Sequence, residues 1–197
     1  MNDFFKKGED YEIPNTSNYM RFEEGDNRFR ILGAFSENTA IKGIEYWKTV
    51  DGKRVPVRLQ TNQSVPVEEL EVNQFGDPDV PKYFWALPVW NYQDKRVQIL
   101  EITQKTILNF VKKQIENPKW GDPRNYDFVV TRTNNKGKTE YTVSNDPKEK
   151  LSEDIQKAYK SMYINIHALF EGNDPFRSEG EPSESEGEFV DPDEVKV

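Results

Sequence analysis

Lys42, Tyr46 and Lys48 share one parity of a segment rich in β-branched and aromatic residues, and Lys53, Arg54 and Arg58 follow closely. Alternate residues of an extended chain lie on one face. A row of cations with a ring among them can therefore track phosphates while the ring stacks on an unpaired base. Such stacking contributes roughly 1–3 kcal/mol per base, and the cations supply a salt-dependent remainder. Residues 40–60 carry five bases against Glu45 and Asp51, a local charge of +3. Trp47, Trp90 and Tyr92 are further candidate stacking rings, and Arg132, Lys136 and Lys138 are candidate phosphate contacts in or beside a later turn. For Tyr46, Trp90 and Tyr92, burial in a core is an equally good account from sequence.

Other chemistries find little support. With no cysteine and a single histidine there is no thiolate nucleophile, Cys-based zinc site or histidine cluster. His167, between Ile166 and Ala168, reads as a core or surface residue of a helix rather than a catalyst. No phosphate-binding loop, nucleophile elbow or HExxH motif occurs. Glu45, Asp94, Glu101, Asp122 and Asp127 could in principle bind Mg²⁺ for nuclease chemistry, but their spacing is undiagnostic and solvated charge explains them better. The reading is of a non-enzymatic protein without cofactor or metal.

The elements that would position these residues are mostly strands. Asn27–Phe35 and Thr39–Thr49 read as a hairpin turning at Ser36-Glu37-Asn38. Asp51-Gly52 leads into an edge strand, Arg54–Leu59, and 61–81, with three prolines and a Glu68-Glu69-Leu70-Glu71 cluster, reads as an insertion. Tyr83–Tyr92 and Arg96–Ile102 flank a turn at Gln93-Asp94-Lys95. On the first of these, Tyr83, Trp85, Leu87 and Val89 form the expected core face, leaving Trp90 and Tyr92 on the outward one. A helix capped by Thr103 and stopped at Asn117-Pro118 follows, then strands Tyr126–Thr133 and Thr139–Ser144. Asp146-Pro147 would start a terminal helix striped by Leu151, Ile155, Tyr159, Met162, Ile166 and Leu169, running to about Phe170.

The charge of the 197-residue chain, −8, sits wholly in residues 171–197, where ten acids face Arg177 and Lys196. The rest is neutral, with 25 acids and 25 bases. Glycine, proline and serine punctuate this acidic stretch, which is expected to be a disordered tail whose Phe176 and Phe189 dock on partners. Residues 1–20 read as an arm and 21–170 as one domain. No apolar run approaches the length of a membrane span, and the first residues lack a secretory signal, so a soluble intracellular protein without a membrane partner is expected.

This element order, mainly β with helices, fits a five-stranded OB-fold barrel with an inserted hairpin and loop, a helix between its third and fourth strands, and a C-terminal helix. A layered α+β arrangement is the rival. The segments KYFWALPVWNY, QILEITQKTI, WGDPRNYDFVVTRT and GKTEYTV resemble the OB-fold single-stranded-DNA-binding proteins of tailed phages. The likeness is close over about a third of the chain and loose over most of 21–170. It implies coating of single-stranded DNA, without strong sequence preference, during phage DNA replication, recombination and repair in the host cytoplasm. It also implies an acidic tail that recruits replication proteins such as polymerase or helicase. Some members of that family end in an aromatic residue or hold a structural zinc; this chain ends at Val197 and has no cysteine. The tail is expected to compete with DNA for the cationic surface. Homo-oligomerisation stays open, as does the alternative of an OB-like protein-interaction module whose tail mimics nucleic acid.

Overall fold

The computed structural model describes residues 17–72 and 75–177. A mixed eight-stranded sheet dominates it. The strands are β1 (Tyr19–Met20), β2 (Gly25–Ile31), β3 (Ile41–Val50), β4 (Lys53–Gln60), β5 (Lys82–Asn91), β6 (Arg96–Ile102), β7 (Asp127–Asn135) and β8 (Lys138–Asn145). Two α-helices, α1 (Lys105–Glu116) and α2 (Glu153–Ser161), accompany them with short 3-10 turns. Neighbours run β1-β6-β5-β2-β7-β8, β1 being parallel to β6, and β3 with β4 branches from β5. The outer strands of this path, β1 and β8, are not paired with each other among the described residues. No described helix is long and apolar enough to cross a membrane.

Two-residue turns set the register of two hairpins. Asp51-Gly52 and Lys136-Gly137 both have two consecutive positive φ values (51° and 79°; 53° and 82°), the backbone whose twist matches a tight hairpin. The strands β7 and β8 consequently extend to within two residues of one another, farther than their sequences suggest.

The first expected hairpin does not form. β2 pairs with residues 89–91 of β5 and β3 with residues 82–86, so the two lie end to end along one edge of β5, running in the same direction. Residues 32–40 leave that line and return to it: Leu32 N donates to Pro88 O at 2.9 Å, and Thr39 Oγ1 accepts from Ala34 N at 2.9 Å. The polar Ser36-Glu37-Asn38 step makes a 3-10 turn rather than a reversal.

Nor does β5 have one open face. Trp85, Leu87 and Val89 join Phe29, Phe128, Leu100 and the α1 residues Ile107, Leu108 and Val111 in the main core. Phe84 and Ala86 on the opposite face are also fully buried, beneath Ile166 and Leu169. Farther along that face Trp90 and Tyr92 pack with Leu32, Val97 and Ile155 of α2. An uninterrupted apolar run is what a strand covered on both sides needs. Tyr83, expected in the core, is 51% exposed where β5 begins.

The terminal helix is much shorter than its apolar stripe. Ser152, not Asp146, caps α2, its hydroxyl accepting from Ile155 N, with Glu153 and Asp154 favourably placed in the first turn. The helix ends at Ser161, and Ile166–Glu171 is a 3-10 segment. Residues 162–165 separate the two segments, and Ile166 and Leu169 pack on the β5 face. At α1 the N-cap is Gln104 rather than Thr103, without a side-chain capping bond.

Both ends of the domain extend past their expected limits. Tyr19 and Met20 of the supposed arm form β1. Residues 171–177, assigned to the tail, are folded: Asn165 N donates to Pro175 O at 2.7 Å, and Phe176 packs edge-on against Tyr19. Residues 1–16 and 178–197, including Phe189, lie outside the described residues.

Candidate nucleic-acid interface

The register of the β3–β4 hairpin divides the candidate residues between two faces. Directly opposed residues share a face, so Lys48 opposite Val55 and Tyr46 opposite Val57 lie on one, with Lys53 opposite Val50. Trp47 opposite Pro56, Thr49 opposite Arg54 and Glu45 opposite Arg58 lie on the other. Lys42, on the face of Tyr46, reaches over the ring of Phe35 at 5.5 Å.

Beyond Glu45 the strand β3 has outrun β5, whose first residue, Lys82, is its partner there. Residues of the 61–81 segment approach the protruding hairpin and touch both faces. Glu69 Oε2 accepts from Tyr46 Oη at 2.9 Å and from Lys48 Nζ at 3.0 Å. Glu71 accepts from Thr49 Oγ1 at 2.5 Å and Arg54 Nε at 3.1 Å, and Asp79 from Arg54 Nη2 at 3.3 Å. The Arg54 guanidinium also lies 4.9 Å above the Trp47 ring, a cation–π arrangement. The Lys48 ammonium first, then the Tyr46 hydroxyl, hold the Glu69 carboxyl below its ordinary pKa. Burial, followed by the bond to Glu69, pushes the Tyr46 hydroxyl up to about 12.

Arg58 is different in kind. It is 5% exposed, with Nε 3.1 Å from Glu45 Oε2 and Nη2 donating to Glu101 Oε2 at 2.7 Å. Two carboxylates thus share one buried guanidinium. Burial raises the Glu101 pKa, while the nearby Arg58 charge opposes that rise. This cluster belongs to the interior.

Trp90 and Tyr92 sit away from the hairpin, under α2. Tyr92 Oη donates to Asp127 Oδ1 at 3.0 Å, and Arg28 lies 4.9 Å over its ring. Asp127, 1% exposed, also accepts from Arg28 Nε at 2.9 Å and from Arg30 Nε, so Tyr92 belongs to a buried polar network. Burial first and Asp127 second push its hydroxyl up to about 12. Arg132, Lys136 and Lys138 form a third location. Arg132 lies opposite Gly25, at the far end of the β2–β3 line from the protruding hairpin, and donates to Phe22 O at 2.9 Å. Lys138 pairs with Glu140 at 3.0 Å, and Lys136 is exposed at the turn. The predicted residues are therefore distributed over three places. The hairpin gathers Lys48, Lys53 and Arg54, but its rings are not the open stacking surfaces expected: Tyr46 and Trp47 are 4% and 7% exposed, buried by the segment and side chains that pack on them.

The carboxylates considered for Mg²⁺ are dispersed: Asp122 pairs with Arg124 at 2.8 Å, Asp127 with the two arginines, Glu45 and Glu101 with Arg58. Among the described residues no group of three or more acids or histidines is disposed to hold a metal ion.

Sequence reasoning missed the partners of the hairpin, Glu69, Glu71 and Asp79. A signal was present, because residues 61–81 contain five acids and no base, directly after the stretch of charge +3. No family model matches the chain, and no curated protein matches its sequence.

Proposed function

We propose that this protein binds single-stranded DNA without strong sequence preference and coats it during phage DNA replication, recombination and repair. In this reading residues 178–197, with eight acids against Lys196, compete with DNA and recruit polymerase or helicase. The observation that carries it is the anion-binding character of the β3–β4 hairpin: Tyr46 and Lys48 on one face, and Thr49 and Arg54 on the other, donate to three carboxylates. Ammonium, guanidinium and hydroxyl donors are the groups that bind a phosphate backbone.

The sheet supports an OB-type body. Strands β2, β5, β6, β7 and β8, taken as first to fifth, pair first with second, second with third, first with fourth and fourth with fifth. α1 lies between the third and fourth and packs on the main core. The β3–β4 hairpin then occupies the loop between the first two strands, one of the positions OB proteins use for oligonucleotides. The outer face of β5 and β6 is occupied by the chain itself, so DNA would follow the hairpin instead.

Fluorescence anisotropy of a labelled dT oligomer of about 30 nucleotides, beside a duplex of equal length, tests the reading at two salt concentrations. Binding of the single strand in preference to the duplex, weakening with salt, is the expected result. One observation favours the second reading, a protein-interaction module: Val67, Val72, Phe75 and Val80 are 67–80% exposed within the insertion. Folded protein that binds neither oligomer would transfer the assignment to it.

A further inference from the structure

The segment that contacts the hairpin is attached mainly through charge. Of its apolar side chains, Val67, Val72, Phe75 and Val80 are 68%, 67%, 80% and 75% exposed and Val65 and Leu70 are only partly buried, so apolar burial contributes little to holding it. Its internal order is slight: a 3-10 turn at Val67–Glu69, a single bridge between Val72 and Pro78, and Asp79 N donating to Glu71 O at 2.6 Å. What ties it to β3 and β4 includes the three carboxylates of Glu69, Glu71 and Asp79.

Those ties suit exchange. The side chains of Lys48 and Glu69 are 36% and 42% exposed, those of Arg54 and Glu71 27% and 28%, and that of Asp79 41%. Ion pairs in such half-wet surroundings each change an equilibrium by a factor of no more than about five. The donors themselves are held in place by the hairpin: Tyr46 and Trp47 are 4% and 7% exposed, and the register from Gly43 to Val50 is unbroken. A rigid donor set is thus capped by a weakly anchored acceptor set.

Resting on the single-strand-binding reading, we infer that Glu69, Glu71 and Asp79 stand in the places of DNA phosphates, and that the strand binds by displacing this internal segment from the β3–β4 hairpin. The Lys48 and Tyr46 donors form one phosphate position, on one face of the hairpin. Thr49 and Arg54 form the next, on the other face, so the strand crosses the free edge of β3 where Glu69 and Glu71 cross it now. The segment lowers affinity for short or weakly held strands and does so most at low salt, where a neighbouring anion is least screened.

Two measurements test this. In the first, the variant E69Q/E71Q/D79N is titrated with the dT oligomer beside the wild type across a salt series. The expected result is about tenfold tighter binding by the variant at low salt, converging at high salt. Equal affinity and equal salt dependence, with wild-type binding intact, would overturn the displacement while leaving the DNA-binding reading standing. In the second, amide hydrogen exchange of wild-type residues 66–72 and 75–80 is followed with and without saturating oligomer. Faster exchange is expected on binding; unchanged or slower exchange overturns the inference, and this measurement decides the matter if the triple variant does not fold. Failure of both folded proteins to bind the oligomer would instead remove the reading on which the inference rests.

Discussion

Replacing Arg58 with methionine removes the positive charge from a site where its side chain is 3% exposed and two carboxylates face it. Glu45 is 7% exposed, and Glu101 Oε1 is a buried acceptor without a hydrogen-bond partner. Methionine fills much of the same volume, so the loss is chiefly electrostatic. Stranding buried charge by removing its partner destabilises by about 3–5 kcal/mol, and that is the expected effect near neutral pH. Burial already raises the Glu101 pKa, and losing Arg58 removes the main opposing influence. A carboxyl whose folded pKa exceeds its unfolded value holds its proton more tightly when folded. The penalty is therefore absent below the unfolded pKa and grows as pH rises through the folded one. Urea unfolding of R58M and wild type at about pH 7 and about pH 4 should show a large gap at the first and a small one at the second. The further changes E45Q/E101Q should recover much of the loss. A gap under about 1 kcal/mol at neutral pH, together with weaker oligonucleotide binding, would refute the argument and return Arg58 to the binding surface.

Two other substitutions probe the fold around the candidate site. Trp90→Ala should lower stability by about 2–4 kcal/mol in urea melts, because the ring packs with Leu32, Val97 and Ile155. Anisotropy should show the DNA affinity of the folded variant changed less than about threefold, below the roughly fivefold or more that loss of one stacked base would cost. Gly43→Ala should cost about 1–3 kcal/mol by thermal melting, since a Cβ there would stand 2.3 Å from Leu59 O and 2.7 Å from Phe84 Cε1. Neither neighbour moves easily: one is sheet backbone, the other a fully buried ring.

Much of the sheet was legible because the strands are punctuated by residues with one structural use. Asp51-Gly52 and the Lys136-Gly137 step announce tight reversals, and Thr139, Tyr141 and Val143 alternate with the exposed Lys138, Glu140 and Thr142 as a half-covered strand requires. The pairing of β2 was illegible. Its proximity to β3 in sequence suggests a hairpin, yet both strands are matched to the long β5, and nothing local in residues 32–40 distinguishes a reversal from an excursion. The outward Trp90 and Tyr92 failed for a related reason: parity identifies a face but not what another part of the chain lays upon it. Charge summed over 40–60 alone gave a free cationic surface, whereas the compensating acids stand only a loop away. The helical stripe from Leu151 to Leu169 is real as a list of residues that reach the core, but two separate segments deliver them.

The contact of Tyr19 with Phe176 joins the first described strand to the last described residues, with nearly the whole domain between them in sequence. Until Ile166, Leu169 and Phe170 arrive, Phe84, Ala86 and Ile99 lack their cover. During synthesis this face cannot be sealed before the C-terminal segment leaves the ribosome, so the nascent sheet carries an apolar side that is sticky toward other chains. Long-range closure of this kind slows folding relative to a domain built from local contacts. The 3-10 segment is thus a late-synthesised part of that cover, and its docking takes the apolar side of the sheet out of reach of other chains.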